Sequence, residues 1–204
     1  MTTVVSGRWR QNGYVIADVR SGEAAIVDPG GAVDDLRRHT ARLRVVAVLL
    51  THGHYDHLGM ADALVSATGA TCWIHHDDAA LMRQAPAYAA AFERRVLRLP
   101  ETVAEFDEGQ RFSIGDLTVR ADRLPGHTPG SVAYRIGDLI FSGDTLLRQA
   151  IGRTDLPGGD EIRLRESIET MLADAPDEAT LLPGHGQPWT VGEAREWWRE
   201  RREG

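Results

Sequence analysis

Residues 51–59 read THGHYDHLG and bring four possible metal ligands together within six positions: His52, His54, Asp56 and His57. The apolar run at residues 45–50 comes directly before them, which predicts a loop at the end of a buried strand. Because a loop has neither helical nor strand periodicity, it can aim all four side chains into one pocket. Imidazole nitrogens and carboxylate oxygens are ligand types that suit zinc and iron. An isolated histidine is commonly a core residue, but four such residues at HxHxDH spacing indicate a metal site.

Three further candidate ligands follow later in the chain, each after an apolar, strand-like run and each beside Gly or Pro. They are His127 in LPGHTPGS, Asp144 in FSGDTL and His185 in LLPGHGQP. The residue types and their order resemble the signature of the metallo-β-lactamase fold hydrolases. The resemblance covers roughly residues 14–187, which is nearly the whole chain.

The resemblance implies an α/β fold, a four-layer αββα sandwich, formed by a single domain over residues 1–204. Its two halves, each of strands plus helix, would meet near residue 105. The pattern predicts strands at residues 14–19, 24–27, 44–50, 71–74, 117–124, 131–136, 139–142 and 179–182. It predicts helices at residues 33–42, 61–68, 161–172 and 192–202, with Gly69 ending the second of them.

The resemblance also implies a site for two divalent metal ions, Zn²⁺ first, with Fe or Mn as alternatives. One ion would be held by His52, His54 and His127, the other by Asp56, His57 and His185, with Asp144 bridging them. Two such ions lower the pKa of a bound water from 15.7 toward about 7, so that hydroxide can attack a carbonyl carbon. Asp56 and Asp144 are then the catalytic carboxylates, and Asp56 also orients the nucleophile.

The loop at residues 152–160, GRTDLPGGD, resembles that of small glyoxalase II-type thioesterases, which cleave S-lactoyl-glutathione. We therefore expect hydrolysis of a small acyl thioester. Related GRTD loops occur in persulfide dioxygenases, which use one iron, and hydrolysis of a lactone or another ester is a further alternative. Antibiotic-hydrolysing members commonly carry Cys at the position of Asp144 or lack the Asp, which disfavours that activity.

The identity of the thiol half of the substrate stays open for two reasons, one at the end of the chain and one in this loop. Only 19 residues follow His185, whereas full-length glyoxalase II has a basic C-terminal region that binds glutathione. Arg153 either contacts a substrate carboxylate or holds the loop backbone, and both interpretations stay open. A binding protein with a degenerate site is disfavoured because the ligand set is intact.

Other residues with possible chemistry have simpler interpretations. Asp28, in DPGG at a strand end, is predicted to form a turn. Cys72, in TCWI, is predicted to be an inert thiol in a buried strand. In residues 75–78, HHDD, the histidines lie outside the ligand set, and Asp77 or Asp78 is expected to cap a short helix ending near residue 82. Residues 84–100 form either a lid over the pocket or a solvated basic helix face.

Composition narrows the partners and the compartment. The net charge of -7 argues against nucleic-acid binding, and no apolar run approaches the ~20 residues that span a bilayer. The first residues lack an apolar signal region, and one cysteine suits a reducing environment, so we expect a cytoplasmic protein. All 23 basic residues are Arg, which excludes a Schiff-base lysine. The expected partner is a small-molecule thioester, neither nucleic acid nor membrane; the oligomeric state stays open.

Overall fold

The computed structural model describes residues 1–203, apart from the side chains of Val33 and Glu203. The first half forms one six-stranded sheet with three helices. Its strands lie in the order β1 (Thr2–Ser6), β2 (Gln11–Ala17), β3 (Glu23–Val27), β4 (Arg44–Leu49), β5 (Thr71–His75) and β6 (Ala104–Phe106). The helices are α1 (Val33–Thr40), α2 (Ala61–Thr68) and α3 (Ala79–Glu93).

The second half forms another six-stranded sheet, a short hairpin and two helices. In chain order the elements are β7 (Arg111–Ile114), β8 (Leu117–Arg123), β9 (Val132–Ile136), β10 (Leu139–Gly143), β11 (Leu146–Leu147), β12 (Ala150–Ile151), α4 (Glu161–Ala173), β13 (Thr180–Pro183), β14 (Trp189–Thr190) and α5 (Val191–Glu203). The sheet order is β14-β13-β10-β9-β8-β7, and β11 pairs with β12.

Alternation along the strands builds the four layers. On β2 and β4, Val15 and Val48 face the cluster that packs with the helices of the first half. Their neighbours Tyr14 and Leu49 face a second cluster, which fills the space between the sheets. A third cluster joins the second sheet to α4 and α5 and includes the buried Trp198. Successive side chains of a strand point to opposite faces, so each inner sheet buries both of its faces. The predicted αββα sandwich is confirmed.

The same topology gathers the strand ends that carry chemistry. The strands β3, β4, β5 and β6 run parallel, as do β10 and β13. Because β8 and β10 are both antiparallel to β9, they also run in the same direction. The Val132 amide donates to the Thr51 carbonyl at 2.9 Å and ties the two sheets together at this edge. The loops after β4, β8, β10 and β13 therefore meet, as expected where ligand-binding loops follow carboxyl ends of strands.

Several predicted boundaries differ from the observed ones. The helix expected to end near residue 82 instead continues to Glu93 as α3, with Pro86 inside it. Proline removes one helical hydrogen bond, but the surrounding alanines have the highest helix propensity and the chain continues. Gly69 ends α2 in the left-handed conformation, at φ 71°, as predicted. The strands β1, β6, β7 and β14 and the hairpin were not predicted. Most of them are short, and the four strands each lie at a sheet edge.

Within residues 1–203, none of the helices is both long enough and apolar enough to cross a bilayer.

Candidate metal centre

All seven residues predicted as ligands lie around one cavity at the shared strand edge. His52, His54, Asp56 and His57 lie on the loop after β4, His127 follows β8, Asp144 follows β10, and His185 follows β13. Three of these loops belong to the second sheet and one to the first. The site therefore exists only where the two halves of the sandwich meet.

The seven side chains form two groups around a shared carboxylate. The ligand atoms of His52, His54 and His127 lie within 4.8 Å of one another, and so do those of Asp56, His57 and His185. Asp144 Oδ2 lies 3.8 Å from His127 Nε2 and 3.5 Å from His185 Nε2, between the groups. This placement matches the two ligand sets expected from the sequence. Metal ligation itself stays a prediction.

Hydrogen bonds fix which nitrogen of each ring faces the centre. His57 Nδ1 lies 2.9 Å from Asp28 Oδ2, and His185 Nδ1 lies 2.9 Å from the carbonyl oxygen of Trp9. Both partners accept only, so we assign a proton to each Nδ1, and each Nε2 faces the centre. The two Nε2 atoms face each other at 3.3 Å. Burial opposes protonation of these rings, but the Asp144 and Asp56 carboxylates raise the pKa of both, so this point attracts a cation, either a proton or a metal ion.

The other histidine group has the same organisation. His127 Nδ1 donates to the Arg153 carbonyl at 2.8 Å, and its Nε2 lies 3.0 Å from His54 Nδ1. His52 Nδ1 lies 2.9 Å from Thr51 Oγ1, while its buried Nε2 has no hydrogen-bond partner among the described residues. Outer partners that orient a ring and leave its second nitrogen free are typical of metal-ligating histidines. The donor set therefore fits divalent cations such as Zn²⁺.

Asp28 has a larger role than the predicted turn. It does adopt a turn conformation, at φ 49°, but its carboxylate is buried. Besides contacting His57, it accepts from the Thr51 amide at 2.8 Å and from Thr51 Oγ1 at 2.6 Å. Since β3 pairs in parallel with β4, a carboxylate at the end of β3 reaches the loop after β4. That adjacency is the signal that could have identified Asp28.

Asp78 connects two of the loops that carry candidate ligands. Its carboxylate accepts from the amides of Gly53 and Gly130, both at 2.7 Å, and from Thr128 Oγ1 at 2.8 Å. Asp78 occupies the N-cap position of α3, as predicted, but its side chain makes no capping bond to that helix. A 3₁₀ turn at His76–Asp78 precedes α3, and its cap is the His75 ring, which accepts from the Asp77 amide.

Charges within the site oppose the effect of burial. Burial alone would raise the pKa of Asp144, but His57, His185 and His127 hold that pKa well below its usual value. Burial, followed by the neighbouring His127 and His57, lowers the pKa of His54 to about 3. The protein alone thus favours an anionic Asp144 beside a neutral His54, which are the protonation states required of metal ligands, whereas the raised pKa values of His57 and His185 mean that metal binding there displaces protons.

The cavity beside the site has a volume of about 490 Å³. Tyr88 and Phe92 of α3 line it, so part of segment 84–100 forms a wall of the pocket. Arg94 and Arg98, farther along the segment, are exposed. The first part of the segment forms a wall of the pocket, but the predicted basic helix face is not observed, because Arg94, Arg95 and Arg98 follow the end of α3 and Arg95 is partly buried. A lid role stays a prediction.

Arg153 lies in the cavity wall with its side chain paired inside its own loop. Its Nε and Nη2 each donate to Asp155 at 2.7 Å. Its carbonyl orients His127, as described above. These contacts favour the loop-holding interpretation of Arg153 over contact with a substrate carboxylate.

The remaining candidates for chemistry lie apart from this cavity. Cys72 is fully buried in β5, and burial raises the pKa of its thiol to about 12, as expected for an inert core residue. His75, His76 and Asp77 form a small cluster of potential ligands. Arg123 Nη2 donates to Asp77 at 2.6 Å, so a guanidinium already neutralises the carboxylate of that cluster.

Comparison with known proteins gives a family match over most of the chain. The family model described as Metallo-beta-lactamase superfamily matches residues 6–185. An uncharacterized protein of Mycobacterium tuberculosis is 39% identical over 200 residues, covering 90% of this chain and 89% of that protein. A hydroxyacylglutathione hydrolase of Haemophilus influenzae is 34% identical, covering 92% of this chain and 91% of that enzyme.

Solved structures agree with this match. The TTHA1623 protein in a di-iron-bound form is 34% identical with a TM-score of 0.87, covering 96% of this chain and 97% of that one. The B3 metallo-beta-lactamase BLEG-1 is 32% identical with a TM-score of 0.87, covering 96% of both chains. ETHE1 from Myxococcus xanthus is 25% identical with a TM-score of 0.79, covering 100% of this chain and 89% of that one.

Proposed function

Because the chain belongs to the metallo-β-lactamase superfamily, whose members include metal-dependent hydrolases, we propose that it hydrolyses a small acyl thioester. The observation that carries the proposal is the convergence of two ligand groups around Asp144, beside a cavity walled in part by the GRTDLPGGD loop. The similarity to a hydroxyacylglutathione hydrolase, at 34% identity over most of both chains, supports a thioester as the substrate.

The superfamily binds divalent metals, and the donor set here suits two metal ions, with Zn²⁺ as the first choice. One ion would be held by His52, His54 and His127, the other by Asp56, His57 and His185, with Asp144 shared. When bound, such ions supply a hydroxide at neutral pH and a Lewis acid for the developing oxyanion.

The residues of the chain prepare the site for this reaction. Asp28 holds the His57 ring in position, and the Trp9 carbonyl holds the His185 ring, before any metal ion binds. Asp56 Oδ2 lies 3.3 Å from His185 Nε2, at the cavity surface, where its carboxylate can accept a hydrogen bond from the attacking water and orient it. In the overall reaction, water adds to the acyl carbon, the carbon–sulfur bond breaks, and the products are a carboxylic acid and a thiol.

Two assays on one metal-replete sample test this proposal. Release of thiol from S-lactoyl-glutathione is followed with a thiol reagent, and oxygen uptake is followed with glutathione persulfide as substrate. We expect thiol release without oxygen uptake, together with close to two metal ions per chain by elemental analysis. A chromogenic cephalosporin is included because one similar structure is a B3 metallo-beta-lactamase. A lactone is included for the ester-hydrolase alternative.

The alternative function is the one-iron persulfide dioxygenase, which the GRTD sequence of the loop keeps under consideration. One iron per chain and sulfite formation, without thiol release from any acyl thioester, would select the dioxygenase and end the hydrolase assignment. Cleavage of the lactone alone would select the ester-hydrolase alternative.

A further inference from the structure

Three aromatic rings form a continuous face along the cavity. The Tyr55 and Phe92 rings are nearly parallel, 14° apart with centroids 6.4 Å apart, and Phe92 and Tyr88 are parallel within 5° at 6.1 Å. Trp9 Nε1 donates to the Tyr55 hydroxyl at 3.0 Å and adds a fourth ring at the rim. All four rings line the cavity. We call Trp9, Tyr55, Tyr88 and Phe92 the aromatic wall.

Two rings of the aromatic wall are unusually open to solvent. Phe92 is 57% exposed and Trp9 is 50% exposed. Exposed apolar side chains are ordinary when scattered singly, but a contiguous patch that lines a cavity marks a binding surface. The rest of the cavity wall is also largely apolar, with Leu147 and Ile151 from the hairpin and Leu156 from the loop that follows.

Charge is almost absent from the cavity outside the candidate metal centre. Apart from the candidate ligands and the tyrosines, Arg153 is the one titratable residue among the described residues that line the cavity. Asp155 receives two hydrogen bonds from that guanidinium, which neutralises it locally. Glutathione carries two carboxylates and an ammonium group. Placing such charges against an apolar surface costs free energy unless each finds a partner.

We infer that the substrate is a thioester with an uncharged, apolar acyl chain, which lies against the aromatic wall, and that glutathione charges contribute nothing to its recognition. This inference rests on the proposed thioesterase function and names its substrate class. The physical reason is the removal of hydrocarbon from water, at about 0.8 kcal/mol for each methylene, or about fourfold in affinity.

A matched set of four thioesters tests the inference. The acyl group is acetyl or hexanoyl, and the thiol is N-acetylcysteamine or glutathione. Because the cavity is open on one side, we expect kcat/KM to be at least ~10-fold higher for hexanoyl than for acetyl, below the full transfer value. The two thiols should differ by less than ~3-fold, since N-acetylcysteamine is uncharged and Arg153, which could meet a glutathione carboxylate, is already paired with Asp155. A flat dependence on chain length, or a glutathione preference above ~10-fold, overturns the inference.

Replacing Phe92 tests the aromatic wall itself. Phe92 is largely exposed, so Phe92→Ala should fold normally, and the hexanoyl-to-acetyl ratio should fall to ~3-fold or less as apolar contact is lost. The matched control is Ile162→Ala on α4. Ile162 is 73% exposed and lies outside the cavity, so this change should leave the ratio as in the original protein. An unchanged ratio in Phe92→Ala overturns the assignment of the acyl site.

A binding measurement separates failure of this inference from failure of the proposed function. Calorimetric titration compares two thioethers that cannot be hydrolysed, S-hexyl- and S-methyl-N-acetylcysteamine. We expect the hexyl compound to bind at least ~10-fold more tightly, in a manner that requires Phe92. If no thioester is cleaved but this preference is found, the thioesterase proposal fails and the apolar site stands. If thioesters are cleaved and both thioethers bind equally, only the apolar site fails.

Discussion

Residues that accept hydrogen bonds from the candidate histidine ligands set the orientation of those rings. Asp28 accepts from His57 and Thr51, the Trp9 carbonyl accepts from His185, and the Arg153 carbonyl accepts from His127. Each acceptor fixes one ring nitrogen as the donor and leaves the other for a cation. Removing such a partner should therefore weaken metal binding without removing a ligand.

Asp144→Asn is the sharpest substitution within the ligand set. It removes the negative charge shared by both ligand groups, so we expect thioester turnover to fall by at least ~10²-fold, in line with loss of a preorganised electrostatic group. Turnover and metal content are measured on the same preparation. Asp138→Asn, at an exposed turn between β9 and β10, is the control and should keep full activity. Near-normal turnover in Asp144→Asn would show that Asp144 is not the shared ligand.

Asp28→Asn tests an outer partner of the site. The amide can no longer act as an anionic acceptor for His57, so we expect metal affinity to fall by about 10–100-fold. Affinity is measured by competition with a chromogenic chelator, with Asp138→Asn again as the control. If the affinity is unchanged, Asp28 is only the turn residue that the sequence indicated.

Among the elements, loops from opposite sheets depend on one buried carboxylate. Asp78, between β5 and α3, holds the loop after β4 through Gly53 and the loop after β8 through Gly130 and Thr128. Its position is fixed because β5 lies beside β4 in the first sheet. The hairpin of β11 and β12 plays a comparable part for the cavity, since Leu147 and Ile151 form part of its wall.

Asp78→Asn should destabilise the fold. All three partners of the carboxylate donate, so an amide group must turn its own N–H toward a donor. We expect a loss of about 1–3 kcal/mol in the free energy of unfolding, the usual effect of a buried group left without its partner. Denaturant unfolding measures it. The matched control is the neighbouring Asp77→Asn, whose carboxylate is partly exposed in a pair with Arg123 and should contribute no more than about 1 kcal/mol.

If the Asp77 and Asp78 variants lose equal free energy of unfolding, the connection of the two loops through Asp78 does not contribute substantially to stability. A loss confined to Asp78→Asn supports it.

For the molecule as a whole, the candidate centre joins the two halves of the sandwich. One ligand-bearing loop comes from the first sheet and three come from the second. A cation that binds this arrangement stabilises the folded state alone, because the unfolded chain does not hold the loops together. The site should therefore contribute to global stability as well as to reactivity.

Metal removal should lower the melting temperature. At a free metal concentration of 100 Kd, each occupied site adds about 2.7 kcal/mol to the free energy of unfolding. Each kcal/mol raises the melting temperature by about 2–4 °C for a chain of this size. We expect a chelator to lower the melting temperature by at least ~10 °C, with recovery when Zn²⁺ is restored. Differential scanning calorimetry measures both steps. The shift should be smaller in Asp144→Asn; metal loss without any shift would contradict the linkage.

The sequence by itself predicted which residues gather at the candidate centre and, through the family resemblance, the layered fold. HxHxDH spacing and the later His, Asp and His each follow a strand-like run, and these features are local in the chain. The near-continuous apolar run at residues 45–50 predicted a buried strand directly before the motif loop, because such a run fits a strand covered on both faces.

Only the tertiary structure decided the roles of Asp28, Asp78 and the aromatic wall. Asp28 reaches Thr51 across 23 positions, and Asp78 reaches Gly130 across 52. Tyr55 and Phe92 likewise come from a loop and a helix that meet only in the fold. A buried carboxylate beside a turn signal has several possible donors, and the choice among them depends on which strands pair and in which register. Strand pairing is set by the packing of both sheets together, so no local stretch of sequence contains it.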